Sequence, residues 1–239
     1  MLRSCYAIVL QVILAVSRIS RAMEFTMFTY LEPLAGDSRS ESENRELLAY
    51  WDTTWREAGW ETQVLNASHV PREARHYIES LPLLEKSKSL LRKWFAWCHH
   101  GAGWLAANDL FALPQFSPRE PFPTFTLFDK VSPVLISSSI EGCEHVTGKL
   151  LEHAKNATID GTVVFWTDTL AFLDLLDHVS LERRVIKKLE YDCGHRSVRN
   201  RWAIQVPPVE SLFPTDVVPA AQAWMNHWTS ECTSSSSTP

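Results

Sequence analysis

The chain has 239 residues, of which 45% are hydrophobic and 21% charged, and its net charge is −5. This is an ordinary globular composition, and the length provides for one sizeable domain with its own core. Because a nucleic-acid partner requires clustered Lys and Arg, the acidic balance excludes a protein built mainly to bind nucleic acid.

The N-terminal segment has the pattern of a secretory signal. Arg3 precedes an apolar run over residues 5–16 that only Gln11 interrupts, and small residues suited to cleavage follow. Because a membrane helix needs roughly 20 apolar residues, the run predicts a signal peptide over residues 1–22, with a short signal anchor as the alternative. We expect contact with a membrane only if this segment is retained as an anchor.

Two further features agree with the secretory route. Asn66 and Asn156 each begin an Asn-x-Ser/Thr triplet, so both are predicted glycosylation sites. The cysteines beyond the predicted signal are Cys98, Cys143, Cys193 and Cys232. They allow two disulfides in three connectivities, among which the sequence does not choose, and buried thiols at Cys98 and Cys143 are the alternative.

The first half of the chain alternates between strand and helix patterns. In order, the predicted elements are a strand at residues 24–31, a helix from Asn44 to a stop at Gly59, a strand at residues 63–65, and helices that begin at Pro71 and Glu85. Apolar residues recur at helical spacing, and the strands are rich in aromatic and β-branched residues.

The second half begins with GAGWLAANDLFALP (residues 101–114), a buried strand that leads to Asp109. Then follow strands at residues 131–137, 162–166 and 202–206. The predicted helices of this half are one that begins with a capping box at Ser138-Ser139-Ile140-Glu141, one capped by Thr167 with Leu170 and Leu173 buried, a basic helix from Ser180, and a last helix at residues 220–228. This alternation predicts one α/β domain over residues 23–232 with a mostly parallel sheet flanked by helices, and a disordered tail at residues 233–239.

Four stretches carry a resemblance to a known family. They are TYLEP (residues 29–33), WDTTWREAGWETQVL (51–65), KWFAWCHHGAGWLAAND (93–109) and FWTDTLAF (165–172). In this order they resemble the DXD-motif, mannosyltransferase-like glycosyltransferases, in which a Trp-rich helix, an Arg-Trp helix and a glycine cluster lead into Asp-x-Asp. The resemblance implies a GT-A (Rossmann-like) fold. It also implies transfer of a sugar from a nucleotide-sugar donor to a hydroxyl of a glycan, lipid or protein, in the Golgi lumen or after secretion.

The resemblance also implies site residues. It places Lys93, Gly103, Trp104 and Asp109 at donor-binding positions, with Trp104 packing beneath the motif. Asp109, and a late histidine at His195, would hold Mn²⁺ or Mg²⁺, which neutralises the leaving diphosphate as a Lewis acid. Asp168 matches a catalytic position that places the acceptor or the sugar; the alternative is that Asp168 stabilises a helix N-terminus.

Three departures from the family pattern weaken the expected donor site. Ala107 stands where the first acid of Asp-x-Asp is expected, and its side chain can neither ligate nor hydrogen-bond. Asn108 is a poor substitute, because it should point to the opposite face if the strand stays extended. Lys93 replaces an arginine and lacks the fork that grips phosphate in two places. Ala102 replaces the middle glycine of the cluster.

Three functions therefore remain open at the level of sequence. The first is a metal-dependent glycosyltransferase of the secretory pathway, and the second is a catalytically degenerate protein of the same fold that acts by binding. The third is a secreted scaffold held by disulfides.

Overall fold

The computed structural model describes residues 25–35, 40–129, 132–158, 162, 164–187, 201–205, 217–227 and 230. The predicted signal peptide and tail, together with His195, Cys193 and Cys232, lie outside the described residues. The described helices are α1 (Glu41–Glu57), α2 (Arg72–Ser80), α3 (Glu85–His99), α4 (Ile140–Asn156), α5 (Asp168–Asp174) and α6 (Val217–His227). The described strands are β1 (Thr26–Tyr30), β2 (Glu61–Leu65), β3 (Gly103–Ala106), β4 (Leu110–Ala112), β5 (Thr126–Asp129), β6 (Ser132–Ser138), β7 (Ser180–Leu181), β8 (Val185–Lys187) and β9 (Ala203–Gln205).

Six of these strands form the main sheet, in the order β2-β1-β3-β6-β5-β7. β1 is parallel to β2 and β3, and β5 is parallel to β7, whereas β6 is antiparallel to both of its neighbours. A smaller sheet has the order β4-β9-β8. The predicted α/β class, with a mostly parallel sheet flanked by helices, is confirmed.

The two faces of the main sheet bury separate hydrophobic clusters. Met27 belongs to the cluster that includes α1 and the small sheet, whereas the next residue, Phe28, belongs to the cluster that includes α3, α4 and α5. Trp104 and Leu105 divide in the same way, because successive side chains of a strand point to opposite faces. The main sheet is thus the middle layer of three.

Helix α1 shows how local sequence sets the ends of an element. Ser40 accepts a hydrogen bond from the backbone of Glu43, whose side chain returns to the Ser40 backbone, so a capping box begins the helix. Gly59 follows the helix with a φ of 92°, a conformation that a side chain disfavours. The predicted helix and its glycine stop are confirmed, and Ser40 extends the helix beyond the predicted start at Asn44.

The predicted basic helix from Ser180 is wrong. Ser180 begins β7, and its backbone N–H donates to the Phe125 carbonyl at 2.8 Å. Arg183 then forms an isolated bridge to Asp129, and Lys187 ends β8, which pairs with β9. Hydrogen bonds to distant strands satisfy this backbone, which helical spacing of charges does not reveal.

Two predictions around α5 are also wrong. Among the described residues of 162–166, Val164 makes only an isolated bridge to Leu83 rather than a strand. Leu170 and Leu173 are 54% and 51% exposed. The helix buries its opposite side instead, where Phe172 packs against Trp94 and Phe125 of the core.

A disulfide joins Cys98 at the end of α3 to Cys143 near the start of α4. The alternative of two buried thiols is therefore wrong for this pair. The bond ties together two helices that cover the same face of the sheet. In the described part of the chain, no helix has both the length and the hydropathy needed for a membrane span.

Candidate functional site

A cavity of about 240 Å³ opens between the carboxyl ends of β1 and β3. It is lined by residues from β1 and the loop after it, from α3, from β3 and its following turn, and from β6: Tyr30, Leu31, Glu32, Ser89, Leu90, Lys93, Leu105, Ala106, Ala107, Asn108 and Pro133. The chain builds β2 on one side of β1 and then crosses to build β3 on the other. This reversal of strand order is the place where open α/β sheets bind ligands. We call this space the switch-point cavity.

The turn after β3 decides which side chains reach the switch-point cavity. The backbone N–H of Leu110 donates to the Ala107 carbonyl at 3.1 Å, so the chain folds back directly after β3. Ala107 and Asn108 consequently line the cavity. The expectation that Asn108 would face away assumed an extended strand, and it is wrong.

Asp109 is carried to a different place by the same turn. Its side chain is buried, and the Gln205 amide of β9 donates to its Oδ2 atom at 3.3 Å. Asp109 is not among the described residues that line the switch-point cavity. The predicted donor-binding acid therefore lies at the junction with the small sheet.

Among the described residues Glu32 is the carboxylate that lines the cavity, and a network behind it holds the side chain in place. The Tyr30 hydroxyl donates to Oε2 at 2.7 Å, and Arg92 Nε donates to the same oxygen at 3.0 Å. Arg92 also binds Glu79 at 2.6 Å and contacts Glu85 closely. The guanidinium is almost fully buried, so these three carboxylates satisfy its charge.

This network fixes the protonation states around the cavity. Burial acts to raise the pKa of Glu32, but hydrogen bonds from Tyr30, Arg92 and Ser89 outweigh burial, and the pKa lies below its ordinary value. Burial and the neighbouring Glu32 carboxylate raise the pKa of Tyr30. At neutral pH the cavity therefore presents an ionised Glu32 whose partner Tyr30 is protonated.

Lys93 also reaches the cavity, but its charge has a partner in the protein. The ammonium donates to Asp168 Oδ2 at 2.6 Å and lies 4.4 Å from the centre of the Trp94 ring. Trp94 Nε1 donates to the same carboxylate oxygen at 3.2 Å. Asp168 is buried in the first turn of α5, which Thr167 caps, and is not among the described cavity-lining residues. Two predicted site residues are thus brought together as an ion pair.

Gly103 and Trp104 are not brought to the cavity, because they begin β3 and the cavity lies at its other end. Trp104 is fully buried and stacks on Phe128 with ring centres 5.3 Å apart. Its indole N–H donates to the Arg119 carbonyl at 3.0 Å. Trp104 is therefore a core residue at the start of β3, and its packing beneath the motif stays a prediction.

The donor set for a divalent ion is sparse. Among the described residues, no group of three or more His, Cys, Asp or Glu side chains could hold a metal. Asp109 provides one carboxylate, the hard oxygen donor that Mg²⁺ and Mn²⁺ prefer. One carboxylate does not enclose a divalent ion, so any ion bound at Asp109 would need phosphate oxygens and water as its other ligands.

Both predicted glycosylation sites are exposed. Asn66 Oδ1 accepts hydrogen bonds from the backbone N–H and the hydroxyl of Ser68, at 2.9 and 2.7 Å, so the triplet forms a compact turn. Asn156 is the last residue of α4, and its side chain is exposed to solvent. A glycan at either position would project away from the core.

Sequence reasoning missed Glu32 and Arg92 as site residues. Glu32 lies within the TYLEP stretch, directly beyond the buried strand β1. A polar residue after a buried strand was the signal used for Asp109, and it applied equally to Glu32. Arg92 had no such signal, because its acidic partners Glu32 and Glu79 are distant in sequence.

No protein-family model, curated protein or solved structure matches the chain. Any function therefore has to be inferred from the chemistry of these side chains.

Proposed function

We propose that this protein is a glycosyltransferase-like protein of the secretory pathway that binds a nucleotide sugar in the switch-point cavity. One observation carries the proposal. Two of the four stretches that resemble the DXD-motif glycosyltransferases meet in one cavity, through Glu32 of the first and through Lys93, Ala107 and Asn108 of the third. These residues are far apart in sequence, and the cavity lies where α/β sheets bind nucleotides.

The chemistry of the cavity suits the uncharged, hydroxyl-rich part of such a donor. Glu32, Ser89 and Asn108 offer hydrogen-bonding groups, and the Lys93 ammonium is balanced by Asp168. The volume of about 240 Å³ lies below the range of roughly 300–1,000 Å³ typical of whole-ligand pockets. The cavity therefore fits a ring-sized part of the donor, with its phosphates outside.

The proposed reaction is transfer of the sugar to an acceptor hydroxyl. The bond between the anomeric carbon and the diphosphate oxygen breaks, the acceptor oxygen bonds to that carbon, and the acceptor proton leaves to solvent. Mg²⁺ or Mn²⁺, held by Asp109, would stabilise the charge of the departing diphosphate. The acceptor would be a glycan, a lipid or a protein.

A secretory location is supported by two observations. The Cys98–Cys143 disulfide is of a kind that persists in oxidising compartments and is rare in the cytosol. Asn66 and Asn156 both present exposed acceptor triplets. Together with the apolar N-terminal run, they favour the Golgi lumen or the extracellular space.

A second candidate is a binding protein that retains donor recognition without transfer. The Lys93–Asp168 ion pair favours it, because a neutralised ammonium attracts phosphate weakly. The burial of Asp109 against Gln205 favours it too, since an incoming ion must displace the amide. The two candidates share the donor site and differ in turnover.

A screen of nucleotide sugars with Mn²⁺ tests the proposal. At least one should raise the melting temperature of the purified chain, and Asp109→Ala should remove the part of the shift that depends on Mn²⁺. Release of free sugar supports transferase chemistry, and Ala107→Asp should increase that release. Binding without release, in both wild type and Ala107→Asp, supports the binding protein. If none of the nucleotide sugars shifts the melting temperature, the proposed donor site is wrong.

A further inference from the structure

We propose that Glu32 is the specificity-determining group of the switch-point cavity and accepts a hydrogen bond from a ring hydroxyl of the bound ligand. This inference rests on the proposed function, since it names the part of the nucleotide sugar that the cavity recognises. The hydroxyl belongs either to the ribose or to the transferred sugar, which share this chemistry.

The position of Glu32 is the first step. It lies two residues after the end of β1 and lines the same cavity as Ala107 and Asn108 of the turn after β3. The Glu32 side chain is 16% exposed, so it is mostly shielded but accessible from the cavity. Ala107, where the sequence pattern leads one to expect an acid, contributes no polar group. Glu32 therefore provides the carboxylate of this cavity.

The acceptor capacity of Glu32 is the second step. A carboxylate has about four acceptor sites. Three donors, Tyr30, Arg92 and Ser89, engage this carboxylate. Capacity for about one further donor remains, which suits a single hydroxyl group.

The charge around Glu32 is the third step. Arg92 is shared among the carboxylates of Glu32, Glu79 and Glu85, and Lys88 lies 3.8 Å from Glu79. Glu79 and Glu85 are 47% and 56% exposed and are not among the described residues that line the cavity, so solvent screens them, and the ionised Glu32 is the negative charge that the cavity itself presents. A hydroxyl donor is attracted there and a phosphate is repelled.

The rigidity of Glu32 is the fourth step. Tyr30 and Arg92 both bind Oε2, so the carboxylate orientation is fixed before a ligand arrives. A fixed acceptor loses little conformational entropy on binding, which makes its hydrogen bond selective. Glu32 therefore combines position, remaining capacity, charge and preorganisation.

The test is calorimetric titration of the full chain in Mn²⁺ with UDP and GDP, their 2′-deoxy counterparts, UDP-glucose and GDP-mannose. Glu32→Gln keeps the shape and removes the charge. Glu85→Gln is the matched control, because Glu85 also binds Arg92 but is not among the described residues that line the cavity. Glu32→Gln should weaken binding roughly 10- to 100-fold, as expected for loss of a hydrogen bond to a charged group, and Glu85→Gln should leave it within about twofold.

The probes identify the source of the hydroxyl. If it is on the ribose, the 2′-deoxy compounds bind wild type more weakly and are insensitive to Glu32→Gln. If it is on the transferred sugar, sensitivity to Glu32→Gln occurs only with UDP-glucose or GDP-mannose. Either pattern supports the inference.

Two other results overturn it. If Glu32→Gln and Glu85→Gln have equal affinities for a probe that binds wild type, the role of Glu32 is refuted. The proposed function is not contradicted by that result. Absence of binding to wild type by every probe refutes both. If Glu32→Gln does not fold, Glu32→Asp takes its place, because it keeps the charge and withdraws the carboxylate; unchanged affinity in that variant also overturns the inference.

Discussion

The Cys98–Cys143 disulfide allows a quantitative prediction about stability. The two residues are separated by 45 positions, so the bond closes a long loop in the unfolded chain. For a loop of this length the chain-entropy relation gives about 4 kcal/mol at 25 °C. Native domains are stable by only about 5–15 kcal/mol, so loss of the bond removes a large part of the total.

The perturbation is the double variant Cys98→Ala, Cys143→Ala, compared with wild type by urea unfolding followed through tryptophan fluorescence. With a denaturant slope of about 2 kcal/mol per molar, the midpoint should fall by about 2 M in non-reducing buffer. The comparison is repeated in reductant, where wild type loses the bond as well and the difference should shrink to the small packing effect of two sulfur atoms. Coincident unfolding curves in non-reducing buffer would refute the reasoning.

Three further predictions concern single groups. Asp168→Asn should lower the free energy of unfolding by about 3–5 kcal/mol, because it leaves the mostly buried Lys93 ammonium without its counter-charge; an unchanged melting temperature would contradict this. The pKa of Glu32 is lowered on folding, so its stabilising effect is complete above the ordinary value of 4.5 and is lost as the pH falls below that value. Glu32→Gln should therefore reduce the loss of stability at acid pH when the free energy of unfolding is measured as a function of pH. Gly59→Ala should destabilise the protein by about 1–2 kcal/mol in thermal unfolding, because φ at this position is 92°. Gly148→Ala in α4, where an added Cβ meets open space, should stabilise it by about 0.5–1 kcal/mol. Equal effects of the two substitutions would contradict the backbone argument.

The sequence predicted those parts of the fold that depend on short-range signals. The apolar repeat of α1 and its stop at Gly59 are readable because capping and amphipathic spacing act within one or two turns. The strand patterns at β1, β2 and β9 are confirmed with shifts of a few residues. The mostly parallel sheet followed from the alternation of strands with long helical segments.

Pairing between strands that are distant in sequence could not be predicted from local patterns. β5 was not predicted, and it joins β6 and β7 through hydrogen bonds that no local pattern specifies. The exposed Leu170 and Leu173 show a related limit, since helical spacing identifies an apolar stripe but not the neighbour that covers it. Phe172 lies on the buried side of α5 instead, where it contacts Trp94 and Phe125 on other elements.

The candidate site shows the same division between local and long-range information. Residue types at the carboxyl ends of strands indicated the edge of the sheet at which the switch-point cavity lies. The hydrogen bond from the Leu110 N–H to the Ala107 carbonyl reverses the chain after Ala106. As a result Asn108 lines the cavity and Asp109 is buried beside the small sheet. Lys93 and Asp168 were each predicted as site residues by type, and their pairing across 75 positions is visible only in the fold.

Binding of a nucleotide sugar in the switch-point cavity is the central claim, and a cavity-filling variant tests it most directly. Ala107 lines the cavity, so Ala107→Phe should fill much of its roughly 240 Å³. The measurement is calorimetric titration of wild type and Ala107→Phe with the nucleotide sugar that stabilises wild type most. We predict saturable binding to wild type and at least about a tenfold loss in Ala107→Phe, with the fold preserved by circular dichroism. Equal affinity of the two proteins, or no binding to wild type, would contradict the account.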